Sequence, residues 1–140
     1  MYLVDTDVIS EVRKRGKADK GVTNFFRQAT TGNTALYLSV VTVGELRRGV
    51  ELIRHRGDSA QARLLDTWLT LLLTEYHDNI LPLDDAAAQV WGRLRVPHPE
   101  NALDKQIAAT ALVHDLTLVT RNEKHFAGSS ARLLNPFAHA

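Results

Sequence analysis

Apolar and polar residues are blocked along this chain as short apolar runs separated by longer stretches of helical spacing. The first run, Tyr2-Leu3-Val4, stops abruptly at Asp5, with Asp7 two positions later. A run this short and continuously apolar predicts a strand covered on both faces. Helices are predicted from about Thr6 to Lys14 and from about Lys20 to Ala29, and the turn-like TTGNT then leads into a second strand, ALYLSV. Two more helices follow, at about Val43 to Arg56 and about Ser59 to Tyr76. The second of these has the clearest pattern, with Leu64, Trp68, Leu72 and Tyr76 recurring every four residues beside Leu65, Leu69 and Leu73. A short strand, ILPL, precedes a helix from Asp85. The breaker VPHPEN then gives way to a helix ALDKQIAATALVHD, a strand LTLVT and a short final strand in ARLLN. Strands separated by helices predict an α/β fold with a central parallel sheet covered on both faces.

In such a sheet, ligands bind beyond the carboxyl ends of the strands. Asp5 follows the first strand, Glu45 is expected in the first helical turn after ALYLSV, and Arg121, Asn122 and Glu123 follow LTLVT. The helix holding Asp104 runs down to the start of LTLVT. Its N-terminus therefore lies at that strand's carboxyl end, and Asp104 shares a face with Ile107, Ala108, Ala111 and Leu112 that should turn inward. Each acid also has a plain structural explanation. Asp5 and Asp7 suit the start of a helix, Thr42 and Glu45 match a capping box, and Asp104 lies near a helix start. Those explanations do not account for three carboxylates on one sheet edge, where they repel unless they share protons or bind a cation.

Composition narrows the chemistry. The 140 residues contain no cysteine, which excludes disulfides and thiolate metal sites and fits a cytoplasmic location. Oxygen donors without paired histidines point to Mg²⁺ or Mn²⁺ rather than zinc, and the six histidines (55, 77, 98, 114, 125 and 139) read as surface or loop residues. No apolar run is long enough to span a membrane and no signal peptide is visible, so no membrane partner is expected. With no repeat or linker, a single domain over 1–140 is expected. Net charge is only +1, yet Arg13 to Lys20, Arg47-Arg48 and Arg54 to Arg56 form basic clusters, which are either solvated faces or a surface for a polyanion.

The stretches YLVDTDVISE, LSVVTVGELRRGVEL, LDKQIAATALVHDLTLVTRN and LLNPF, in this order, resemble the PIN-domain toxins of the VapC type, including the FitB-like branch. The resemblance runs over nearly the whole chain and implies a PIN-like three-layer domain. It also implies a metal-dependent ribonuclease of a toxin–antitoxin pair, with a small antitoxin of the VapB or FitA type as partner. Operator DNA would be touched only through that complex, and the toxin would form a homodimer. The acidic site it implies falls on Asp5, Glu45 and Asp104, with a fourth ligand position at Asn122. Asn122 stands where Asp is common, and His125 where many members carry a further Asp. One Mg²⁺ or Mn²⁺, or two, would acidify a water and neutralise charge on the scissile phosphate. Thr6, Asp7 and Thr120 are candidates for supporting the ligands, and Arg121 with the basic clusters for attracting RNA.

Two other readings are open to the residues. LVDTDV locally fits the nucleophile motif of haloacid-dehalogenase-type phosphatases, with Asp5 as nucleophile and Asp7 as acid, but the acidic pair that chemistry needs late in the chain is missing: Asp84-Asp85 comes too early. A PIN-fold binding module with a weakened site is the second, supported by Asn122 and His125.

Overall fold

The computed structural model describes residues 1–138. Five strands, β1 (Tyr2–Val4), β2 (Leu36–Ser39), β3 (Ile80–Leu81), β4 (Thr117–Val119) and β5 (Leu133–Leu134), form one sheet in the order β3-β2-β1-β4-β5. Every neighbouring pair is parallel, with Leu3 opposite Tyr37 on one side and Leu118 on the other. Parallel neighbours need crossovers, and helices supply them: α1 (Thr6–Glu11), α2 (Lys20–Thr31), α3 (Val40–His55), α4 (Ser59–Glu75), α5 (Asp85–Leu94), α6 (Ala102–Val113) and α7 (Glu123–Phe126).

The central strand is wholly apolar because both its faces are covered. Val4 and Val119 belong to a core with Val8 and Ile9 of α1, Leu46 and Val50 of α3, and Leu69 and Leu72 of α4. Their neighbours Leu3 and Leu118 face the other way, onto Ile107, Ala108 and Ala111 of α6 and Phe126 of α7. Strand alternation thus sorts adjacent residues into two cores, giving helix, sheet and helix layers.

Several expected boundaries move. The first helix ends at Glu11 and continues as a 3₁₀ segment, Val12–Lys17, rather than as α-helix to Lys14. Glu11 turns the chain there: its carboxylate accepts from the Asp19 amide at 2.8 Å and pairs with Lys14 at 2.9 Å. The third helix begins at Val40, because Ser39 caps it by accepting from the Val41 amide at 3.0 Å. Thr42 is therefore a buried residue inside the helix and not its cap, and Glu45 lies in the second turn. In α4 the row beginning at Leu64 is turned at its start. Each four-residue step on a 3.6-residue helix gains about 40°, so a row of four sweeps about 120°. Leu69 and Leu72 are buried while Leu64 is 69% exposed.

Most of the basic residues are exposed, as both sequence readings require. Arg47 and Arg54 are further neutralised by Glu51 and Asp66, with Arg47 at 3.3 and 3.1 Å from them and Arg54 at 3.3 Å from Asp66. Among the described residues, no helix is long and apolar enough to cross a membrane.

Candidate active site

Asp5 occupies the N-cap position of α1, yet its carboxylate does not serve as an ordinary cap. A capping side chain accepts from the second or third amide of its helix. Here Oδ1 accepts from the adjacent Thr6 amide at 2.8 Å, and Oδ2 accepts from the Thr120 hydroxyl, just past β4, at 2.7 Å. Thr120 is itself fully buried and accepts from the Asn122 amide at 3.0 Å. A relay from the loop after β4 therefore fixes the carboxylate that ends β1.

The other acids converge on this point from three further elements. Glu45 of α3 lies with its Oε1 3.4 Å from the Thr6 hydroxyl, which is also 3.1 Å from the Thr42 hydroxyl; its single hydrogen serves one of them at a time. Asp104, at the third position of α6, makes no capping bond; its Oδ2 lies 2.8 Å from His125 Nδ1 on α7. Both oxygens of Asp7 are buried, and the amides of Arg121 and Val8 and the neighbouring Asp5 approach them without forming well-aligned hydrogen bonds.

The electrostatics register how near these groups are. Burial, then the charge of Asp7, pushes the Asp5 carboxyl from 3.8 up to about 7, against the opposing effect of its bonds to Thr120 and Thr6. Asp7 is raised chiefly by burial and further by Asp104; the amides of Arg121 and Val8 and the neighbouring Asp5 relieve it only in part. Glu45 is raised by burial and by Asp104, with Thr6 and Arg48 pulling the other way. Desolvation and like charge act together here, the combination that marks functional clusters.

This donor set fits a hard divalent cation. It is all oxygen, and its buried carboxyl groups are pushed up by burial and like charge, which a cation would relieve. Among the described residues, no three His, Asp or Glu side chains already converge as a ready-made metal site. A cation would have to draw the carboxylates closer together.

Of the sequence candidates, Asp5, Glu45 and Asp104 lie with Asp7 near one sheet edge, close enough for their charges to act on one another, and Thr6 and Thr120 hold Asp5 while Thr6 also reaches Glu45. Asn122 is exposed and joins the cluster through its backbone, as the residue preceding α7. Arg121 is exposed as well, its guanidinium 4.5 Å from the centre of the Phe137 ring. A cleft of about 310 Å³ opens beside Thr6 and Glu45, with Arg13 and Arg56 on its wall. Asp84 caps α5 by accepting from the Ala87 amide at 3.0 Å, so the early acidic pair has a purely structural use.

Two residues singled out in the sequence make contacts there that the sequence did not predict. His125 is a surface residue as expected, along with His55, His77, His98 and His114, but it also touches Asp104; His139 lies outside the described residues. Thr42 links Thr6 to α3. Neither carries a local signal, since their contacts span 21 and 36 residues of chain.

Comparison with known proteins agrees with this fold. Residues 2–128 match the PIN domain. Toxin FitB of Neisseria gonorrhoeae is 33% identical over 98% of this chain and 99% of its own length. The VapC ribonuclease Y4jK of Sinorhizobium fredii is 30% identical over the full length of both. Among solved structures, the crystal structure of FitAcB from Neisseria gonorrhoeae superposes with a TM-score of 0.82 at 32% identity, covering 97% of this chain and 98% of that one. The structure of FitAB bound to an IR36 DNA fragment gives 0.83 at 30% identity, over 97% and 95%.

Proposed function

The chain belongs to the PIN domain family, and from that premise we propose that it is the ribonuclease toxin of a toxin–antitoxin pair. It hydrolyses RNA phosphodiester bonds at a site where Asp5, Glu45 and Asp104 hold Mg²⁺ or Mn²⁺, with Asn122 offering a neutral oxygen. The observation that carries this reading is that acids from separate elements are buried near one another, so that burial first and then the charge of Asp104 push up Asp5, Asp7 and Glu45 alike. Helix capping alone gives no reason to gather these acids from separate elements.

When bound, the cation supplies positive charge against the scissile phosphate and acidifies water for attack. The protein's part is positioning. Thr120 and the Thr6 amide set the plane of the Asp5 carboxylate, and Thr6 steadies Glu45. Burial of Asp5 at 3% exposure strengthens every electrostatic interaction it makes. Arg13, Arg56, Arg48 and Arg121 surround the acids and attract the RNA backbone without reading its sequence.

The partner is a small antitoxin of the FitA or VapB type, through which operator DNA is contacted, and the toxin acts as a homodimer in the cytoplasm. Residues 1–140 form a single PIN domain, since β5 completes the sheet beyond the matched segment. The test is direct. The purified chain, free of antitoxin, should degrade RNA with Mg²⁺ or Mn²⁺, stop when EDTA is added, and lose activity in Asp5→Asn. Undiminished cleavage in EDTA would sink the metal mechanism.

A further inference from the structure

His125 and Asp104 form a direct contact that the fold places deliberately. The imidazole Nδ1 lies 2.8 Å from Asp104 Oδ2, joining α7 to the start of α6. The Asp104 side chain is 23% exposed and His125 47%, so the pair sits at the rim of the acidic cluster and not in the core. Asp104 has no other hydrogen-bond partner among the described residues, in contrast to Asp5, both of whose oxygens are held. Asp104 is also the acid whose charge reaches Asp5, Asp7 and Glu45 alike.

We propose that His125 is a positioning residue for Asp104, holding one carboxylate oxygen so that the other is presented to the divalent cation. This rests on the metal-site reading above. For an ionised Asp104 the contact requires the hydrogen on Nδ1, so the imidazole donates there and its Nε2 faces away from the bond. A hydrogen bond from outside the ligand set fixes the rotamer of a ligating carboxylate and is worth ten- to a hundredfold in metal affinity. The neighbouring Phe126 is 2% exposed and anchors α7 in the second core, which gives the exposed imidazole a rigid base.

The proposal separates a donor at the Nδ1 position from an imidazole as such. Asparagine places an amide N–H close to where Nδ1 stands, whereas alanine places nothing there. Mn²⁺ affinity, measured by calorimetry on the full chain, should fall about tenfold or more in His125→Ala and stay close to wild type in His125→Asn. RNA cleavage at limiting Mn²⁺ should follow the same order and recover in His125→Ala at saturating Mn²⁺. Because His125 is exposed, both variants should melt near the wild type without metal. Equal Mn²⁺ affinity in His125→Ala and wild type overturns the proposal, as does tighter binding in His125→Ala. An equal loss in both variants overturns it too, in favour of the imidazole as a direct ligand. If the wild type itself binds no Mn²⁺, the metal-site reading falls and this inference with it.

Discussion

Asp5 is where a sequence ambiguity becomes a physical statement. By position it is a helix cap, but its oxygens are committed to Thr6 and Thr120, and its carboxyl is pushed up to about 7 by burial and by Asp7. The folded chain then keeps a proton that the unfolded chain has released above about 3.8. Metal-free stability should accordingly fall as pH rises from about 4 to about 7 and level off above, by an amount on the order of a few kcal/mol. Melting curves across that range check the sign, and saturating Mn²⁺ should flatten the decline by mass action. Asp7→Asn removes a buried charge that the Arg121 and Val8 amides relieve only in part, at nearly constant volume, so the metal-free variant should be as stable as wild type or more so. At Asn122, the proposed fourth ligand, an amide would bring an oxygen but no charge, so Asn122→Ala should reduce cleavage less than Asp5→Ala does. The proximity of Asp5, Glu45 and Asp104 was legible in the sequence, because strand ends and helix direction bring them toward one edge. The grip of His125 on Asp104 was not, since nothing local marks a contact set by the docking of two helices.

Among the elements, those with strong apolar runs were legible, and their ends were decided by single hydrogen bonds. Strand β1 could be read from three apolar residues, whereas the start of α3 could not, because Ser39 and Thr42 are both competent caps. Ser39 takes the role and leaves Thr42 buried beside Thr6. Ser39→Ala should thus cost about 1 kcal/mol through loss of the cap. On α4 the buried arc predicts a sharp contrast between two leucines in the same helix. Leu69→Ala, at 1% exposure, should cost roughly 2–5 kcal/mol. Leu64→Ser, at 69% exposure, should stay within about 0.5 kcal/mol of wild type. Chemical denaturation of the two variants measures the difference, and similar losses would mean that the helix face is misassigned. The short α7 was not anticipated, since four residues carry no periodicity to read.

At the scale of the whole molecule, the sheet order puts β1 between β2 and β4, so that the acids come from chain segments far apart in sequence. The C-terminal stretch is clamped as well. Ala138 donates to Asp19 at 3.0 Å, and a Cβ at Gly21 would lie 2.1 Å from the Pro136 carbonyl oxygen, so only glycine permits that crossing over the start of α2. The exposed link between α5 and α6 divides the site itself: Asp5 and Glu45 precede it, and Asp104 and His125 follow it. The protein is in this respect a two-key lock. Cut after His98 and expressed as separate halves, residues 1–98 and 99–140, neither piece should degrade RNA, while halves brought together by a fused pair of associating peptides should regain cleavage as β4 slots in beside β1. An assay of RNA breakdown in extracts holding one half, the other, or both reads this out, and cleavage by either half alone would show that the assembled edge is not needed. If the halves do reassemble, the same division makes the chain a reporter whose output, broken RNA, appears only where two separately delivered proteins meet.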